Sequence, residues 1–246
     1  MQLPMQRCTY FFALVVIKFV TTGKGKVRIE MTIKIKAFSD FICPFCFLEK
    51  GPLDEIAKEQ DVEIEWMPFE LRPSPYPQID PWKEPDKLSS WDSFILPVAR
   101  QLGVDMRLPH VSPHPYTDLA FEGYQFAKER GKGNEFHHRV FAAFFQEEQN
   151  IGEVDVLTKL AGEVGLSEDD FREALVSRTY RDAHQEALKS AYEAQITAVP
   201  TLIIGDEVIQ GLAGKERLAQ AIEKTLQKNN HADAFDGMHC TLDGSC

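Results

Sequence analysis

Cys43-Pro44-Phe45-Cys46 constrains this chain more than any other segment, because of what lies on either side of it. Before it, Ile33, Ile35 and Ala37 alternate with Thr32, Lys34 and Lys36, the period of a strand. After it, Pro44 suits the first position of a helix, where its missing N–H leaves no bond unmade. Leu53, Ile56 and Ala57 carry the apolar helical face onward, past a Gly51-Pro52 step that predicts a kink. Val62, Ile64 and Trp66 then alternate with Glu63 and Glu65 as a second strand. Strand, helix and strand in this order make a βαβ unit with a parallel pair.

The remainder divides by pattern. Six prolines between Pro68 and Pro85 predict an irregular, stiff loop. From about residue 86 to 195 the spacing is helical, as in Phe121, Tyr124 and Lys128, or Phe136, Val140, Phe141 and Phe144. Ser167-Glu168-Asp169-Asp170 has the form of a capping box. Thr201–Ile204, a Gly205-Asp206 turn and Glu207–Ile209 predict a hairpin. Leu218, Ile222 and Leu226 share one face of a last helix. The expected organisation is one α/β domain from residues 31–70 and 196–228, interrupted by a proline-rich loop and helical domain at 71–195. Residues 229–246 form a C-terminal tail carrying Cys240 and Cys246. No internal repeat is present.

Residues 1–30 read as an extension that is not part of the native domain, which is expected to begin near Met31. The apolar run Tyr10–Val20 contains Lys18 and is shorter than the roughly 20 residues a membrane-spanning helix needs. As a secretory signal it is weak, with Lys24, Lys26 and Arg28 directly behind it. A cytoplasmic protein without stable membrane insertion is therefore expected, and a secreted or membrane-associated one if residues 1–30 are a genuine signal. The formal net charge of −11 argues against a nucleic-acid partner, which asks for a basic face.

The spacing of the cysteines carries the chemistry. Cys43 falls at a helix N-terminus and Cys46 one turn in, on the same face. Free N–H groups and the helix dipole favour a thiolate at Cys43, the form that attacks disulfides. Cys46 lies closer to the helix interior and is expected to stay protonated until it resolves a mixed disulfide. Zinc uses the same C-x-x-C spacing. Its second half would have to come from Cys240 and Cys246 with His231 or His239, at irregular spacing from the far end of the chain. The strand-to-helix context favours redox chemistry, with no metal. Val199-Pro200-Thr201 is the second segment of interest. A proline just before a strand can be cis, leaving the Val199 backbone free to pair with an extended peptide, or can be a plain trans strand start.

Taken together, C-P-F-C after the first strand, a helical insertion, and V-P-T before a hairpin resemble the DsbA family of thioredoxin-fold proteins. Phe69-Glu70-Leu71-Arg72-Pro73 resembles the FrnE-like, mostly cytoplasmic branch. The similarity covers residues 32–227. It implies an α/β, thioredoxin-like fold (βαβ…ββα) with a large inserted α-helical domain. It also implies Cys43 as nucleophile, Cys46 as resolving thiol and Pro200 as the cis-proline facing them, with Pro44, Phe45, Val199 and Thr201 contacting substrate. Cys240-x5-Cys246 resembles the second cysteine pair of some FrnE-like members. The substrates implied are protein or peptide thiols and disulfides. No cofactor is needed, since electrons pass by exchange with a thiol reductant or oxidant, another protein or glutathione. Strongly oxidising DsbA proteins place histidine where Phe45 stands, so the disulfide here is expected to be less oxidising.

Two rivals share the fold. Kappa-class glutathione transferases and hydroxychromene-carboxylate isomerases resemble this architecture but place serine at the position of Cys43. A non-catalytic peptide-binding chaperone could use the proline-rich loop and insertion as a groove. Asp40 and Glu49 flank the motif and read as solvated surface charge rather than proton shuttles. His110, His114, His137 and His138 read as ordinary core or surface histidines, and Arg72 as a solvated arginine or a substrate contact.

Overall fold

A computed structural model describes the backbone of residues 15–21 and 27–236 and the side chains of residues 32–228. β1 (Val15–Thr21) pairs antiparallel with the first half of β2 (Val27–Ser39). The first core strand thus starts ahead of Met31, inside the segment read as an extension. Its reason is visible in the chain: Val27, Ile29 and Met31 keep the same alternation as Ile33 and Ile35.

The second half of β2 is the centre of the sheet. β3 (Val62–Pro68) runs parallel to it on one side, with Ala37 opposite Trp66. β4 (Thr201–Ile204) runs antiparallel on the other, with Phe38 opposite Thr201, and β5 (Glu207–Gln210) completes a hairpin. Gly205 turns that hairpin at φ 58°, where a Cβ would also meet the Thr225 side chain. α1 (Pro44–Glu59) joins β2 to β3. It runs through Gly51-Pro52 as one α-helix, as the apolar face resumed at Leu53 predicts, with Pro52 removing the bond to the Leu48 carbonyl.

Between β3 and β4 come the irregular loop, α2 (Pro85–Ser90), a π turn (Trp91–Ile95) and α3 (Leu96–Gln101). There follow α4 (Asp118–Glu129), α5 (Gly133–Phe145), α6 (Val154–Glu163), α7 (Glu168–Val176) and α8 (Arg181–Glu193). Ser167 caps α7, its Oγ accepting the Asp170 N–H at 3.3 Å. α9 (Lys215–Asp236) closes the chain described.

Alternation along the strands divides the core. Ile33, Ile35, Ala37, Trp66, Leu202 and Ile204 pack with α1 and the helical block, whose centre is Phe136, Phe141, Phe144 and Phe145. Phe38, Met67 and Ile203 point to the opposite face and meet Ala191 of α8 and Ile196. The insertion therefore returns to cover the sheet's second face. Among the described residues no helix is long and apolar enough to cross a membrane.

Candidate active site

Antiparallel pairing of β2 and β4 sets the C-terminal end of β2 beside the start of β4. The turn that follows β2 carries the cysteine motif, and the turn that precedes β4 carries Pro200. Two segments far apart in sequence are thereby fixed side by side at one end of these central strands.

Cys43 is the N-cap of α1, extended at φ −88° and ψ 114°, and Pro44 opens the first turn. The Cys43 N–H donates to the Asp40 carbonyl at 3.0 Å and its carbonyl accepts from Phe47 N–H at 3.3 Å. Its thiol donates to the Val199 carbonyl at 3.6 Å. The Val199–Pro200 bond is cis. Thr201 Oγ1 donates to the Ala198 carbonyl at 2.7 Å and Gly211 N–H to the Pro200 carbonyl at 2.9 Å, so the turn is held from both sides. Phe45 is half-buried, and its ring lies 5.9 Å from that of Phe94, which is 57% exposed. Both cysteines are free thiols and buried. Burial, then a hydrogen bond with the Cys43 side chain, pushes the Cys46 thiol well above the usual range.

Two groups next to the motif correct the surface-charge reading. Asp40 is fully buried, with its carboxylate accepting from Leu71 N–H at 2.7 Å and Ile42 N–H at 3.5 Å. Burial outweighs those bonds and raises its pKa to about 7. Glu49, one helical turn beyond Cys46, is also buried. It accepts from Ala213 N–H at 2.9 Å, and burial raises its pKa to about 7 as well. Glu70, in the Phe69–Pro73 segment, bonds the buried His184 at 2.6 Å and adds its charge to the field on Asp40. Nothing local in the sequence signals any of this burial; it depends on the loop and α8 folding back over the motif. His137 is buried too, stacked 3.9 Å from the Trp66 ring, whereas His110 is exposed. Arg72 is solvated and donates to the adjacent Leu71 carbonyl.

No group of three or more His, Cys, Asp or Glu side chains suited to a metal occurs among the described residues. Cys240, Cys246 and His239 lie outside the described residues, as does the His231 side chain.

Residues 34–223 match the DSBA-like thioredoxin domain. The chain belongs to that family. Its fold is accordingly thioredoxin-type α/β with a helical insertion. The chain is 59% identical over 199 residues to YwbO, an uncharacterized protein of Bacillus subtilis (strain 168), across 80% of this chain and 100% of that one. Among solved structures it is similar to a probable DsbA oxidoreductase from Streptomyces coelicolor (TM-score 0.69, 19% identity, 85% and 92% of the two chains covered). It is also similar to a 2-hydroxychromene-2-carboxylate isomerase (TM-score 0.64, 18% identity, 82% and 98% covered). At such identities the likeness is one of fold, and the fold hosts both chemistries.

Proposed function

We propose that the chain is a protein dithiol–disulfide oxidoreductase of the FrnE-like branch, working in the cytoplasm through Cys43 and Cys46. The observation that carries this reading is the pairing of a thiol at a helix N-terminus, facing the Val199 carbonyl, with a second thiol that burial keeps protonated. Serine at position 43 would serve the rival isomerase and transferase chemistries; cysteine supports thiol exchange.

In the reaction, Cys43 thiolate attacks one sulfur of a client disulfide. The client S–S bond breaks, a Cys43–client S–S bond forms, and one client thiolate leaves. Cys46 then attacks the Cys43 sulfur, releasing the second client thiolate and closing the Cys43–Cys46 disulfide. Two electrons have passed to the client. A thiol reductant, glutathione or a protein dithiol, returns the pair to its reduced form by the same exchange in reverse. Resolution requires Cys46 to lose a proton that burial makes it hold tightly. Asp40 acts on that thiol through its charge and itself titrates near neutrality, so we assign it as the group that receives the proton. The Val199 backbone and the Phe45–Phe94 edge receive the client chain.

Reduction of a protein disulfide in the presence of glutathione, followed for wild type, Cys43→Ser and Cys46→Ser, tests the reading. Activity is expected to vanish in Cys43→Ser. Full activity in that variant would leave the chaperone or isomerase chemistry standing instead.

A further inference from the structure

Glu70 and His184 form a pair beside the redox motif, with side chains 6% and 0% exposed. The backbone fixes where Glu70 stands. β3 ends at Pro68, opposite Ser39. The next N–H, of Phe69, donates to the Ser39 carbonyl at 2.9 Å, and the Leu71 N–H donates to Asp40 Oδ2 at 2.7 Å. Glu70 is therefore pinned between bonds to residues 39 and 40, one residue from the donor that holds the Asp40 carboxylate.

His184, on α8, holds the Glu70 side chain in place. Its Nε2 lies 2.6 Å from Glu70 Oε1, and an ionised carboxylate only accepts, so Nε2 carries the proton of this bond. The ring is itself fixed. It stacks on Phe121 at 5.4 Å, and Phe121 lies 4.6 Å from Phe41, the residue after Asp40. The His184 backbone N–H donates to the Tyr180 carbonyl at 2.9 Å. Nδ1 is buried with no hydrogen-bond partner. An imidazolium would need acceptors at both nitrogens, so this setting suits a neutral ring and leaves Glu70 its negative charge. A clamp between loop and helix needs only packing, and apolar side chains often serve as well as a buried polar pair. What the carboxylate adds here is a like charge beside Asp40.

We infer that Glu70, oriented by His184, is a positioning residue for the resolving step: its charge beside Asp40 keeps that carboxylate basic enough to take the Cys46 proton. In that step Cys46 gives its proton to Asp40 and its sulfur bonds to the Cys43 sulfur. The Cys43–client S–S bond breaks, and the client thiolate leaves with its electron pair. A proton acceptor works best when it titrates near the working pH. Burial already raises the Asp40 pKa to about 7, and Glu70 pushes the same way. Facing Asp40 besides Glu70 are Cys46 from α1 and, through Ser39 Oγ at 3.4 Å, His137 from α5, which burial holds neutral. Its other neighbours are uncharged donors: Leu71 N–H, Ile42 N–H and the Thr117 side chain of the α4 N-cap. The inference rests on the oxidoreductase reading, which gives Asp40 that proton.

The test mixes reduced protein with glutathione disulfide in a single turnover across pH 5–9. Formation of the mixed disulfide at Cys43 and its resolution by Cys46 are followed separately by quenching and mass spectrometry. In parallel, the ¹³C carboxyl resonance of Asp40 is titrated. Glu70→Gln keeps an acceptor for His184 and removes the charge. In it, the Asp40 titration and the midpoint of the resolving step are expected to move down together by about half a pH unit. His184→Leu, which releases Glu70, should do the same. His184→Gln, whose amide N–H can replace Nε2–H, should keep the wild-type midpoint. If the variants fold poorly, wild type decides: its Asp40 resonance is expected to show a second inflection where Glu70 titrates. An Asp40 titration unchanged in Glu70→Gln, or without that inflection in wild type, would overturn the role of the pair and leave the exchange chemistry intact. So would a resolving step that does not follow Asp40. No mixed disulfide at Cys43 at any pH would remove the oxidoreductase reading, and this inference with it.

Discussion

Buried acids are treated in opposite ways in the helical block and at the N-terminus of α1. In the block, Glu122 is fully buried, and Arg178 grips it with both Nε and Nη2 while also reaching Asp118 at 2.7 Å. Around it the interior is phenylalanine on phenylalanine, as where Phe136 and Phe126 each lie 5.2 Å from Phe171. Gly123 lets those rings approach, since a Cβ there would meet Phe171 at 2.6 Å. Beside the cysteine motif, Asp40 and Glu49 are buried as deeply but bonded to uncharged donors, backbone N–H groups and for Asp40 also the Thr117 side chain, with no ion pair to either among the described residues. A buried acid gripped by arginine serves structure. One left with neutral donors holds a proton near neutrality, which thiol exchange can use.

The largest effect that would sharpen this contrast lies in the block. Phe136→Ala removes a fully buried ring and is expected to cost about 3–5 kcal/mol of stability at every pH, measured by denaturant unfolding. The alkylation rate of Cys43 in the folded protein should not change. A smaller effect, and one that depends on pH, is expected from Asp40. Its folded pKa, about 7, lies above the ordinary 3.8, so between those values the folded state holds a proton the unfolded state has lost. Stability from this group is complete below pH 4 and declines as pH rises toward 7, by at most about 1.4 kcal/mol per pH unit. Glu49 adds a slope of the same sign. Asp40→Asn should flatten the curve by one group's share and slow the second step of exchange more than the first. An unchanged slope would place Asp40 with the structural acids of the block.

Much of this was open to a reader of the chain. The cysteine motif at a strand-to-helix junction, the Gly205-Asp206 hairpin and the Ser167 cap are local signals, and each is set by a few neighbouring residues. The start of β2 is also written there, in Val27, Ile29 and Met31, although the residues before Met31 read as an extension. Continuity of α1 through Pro52 is legible in Leu53, Ile56 and Ala57, which keep the apolar helical face beyond the proline. The burial of Asp40 and Glu49 could not be read at all. It is created by Leu71 and Ala213, which lie 31 and 164 residues away.

The division of labour between the two thiols is tested most directly by alkylating the reduced wild-type protein across pH 5–9 and reading each cysteine peptide by mass spectrometry. Cys43 is expected to label first at every pH, with Cys46 protected throughout by the burial that pushes its thiol up. Preferential labelling of Cys46, or equal labelling of both near neutral pH, would contradict the assignment of Cys43 as nucleophile and Cys46 as resolving thiol.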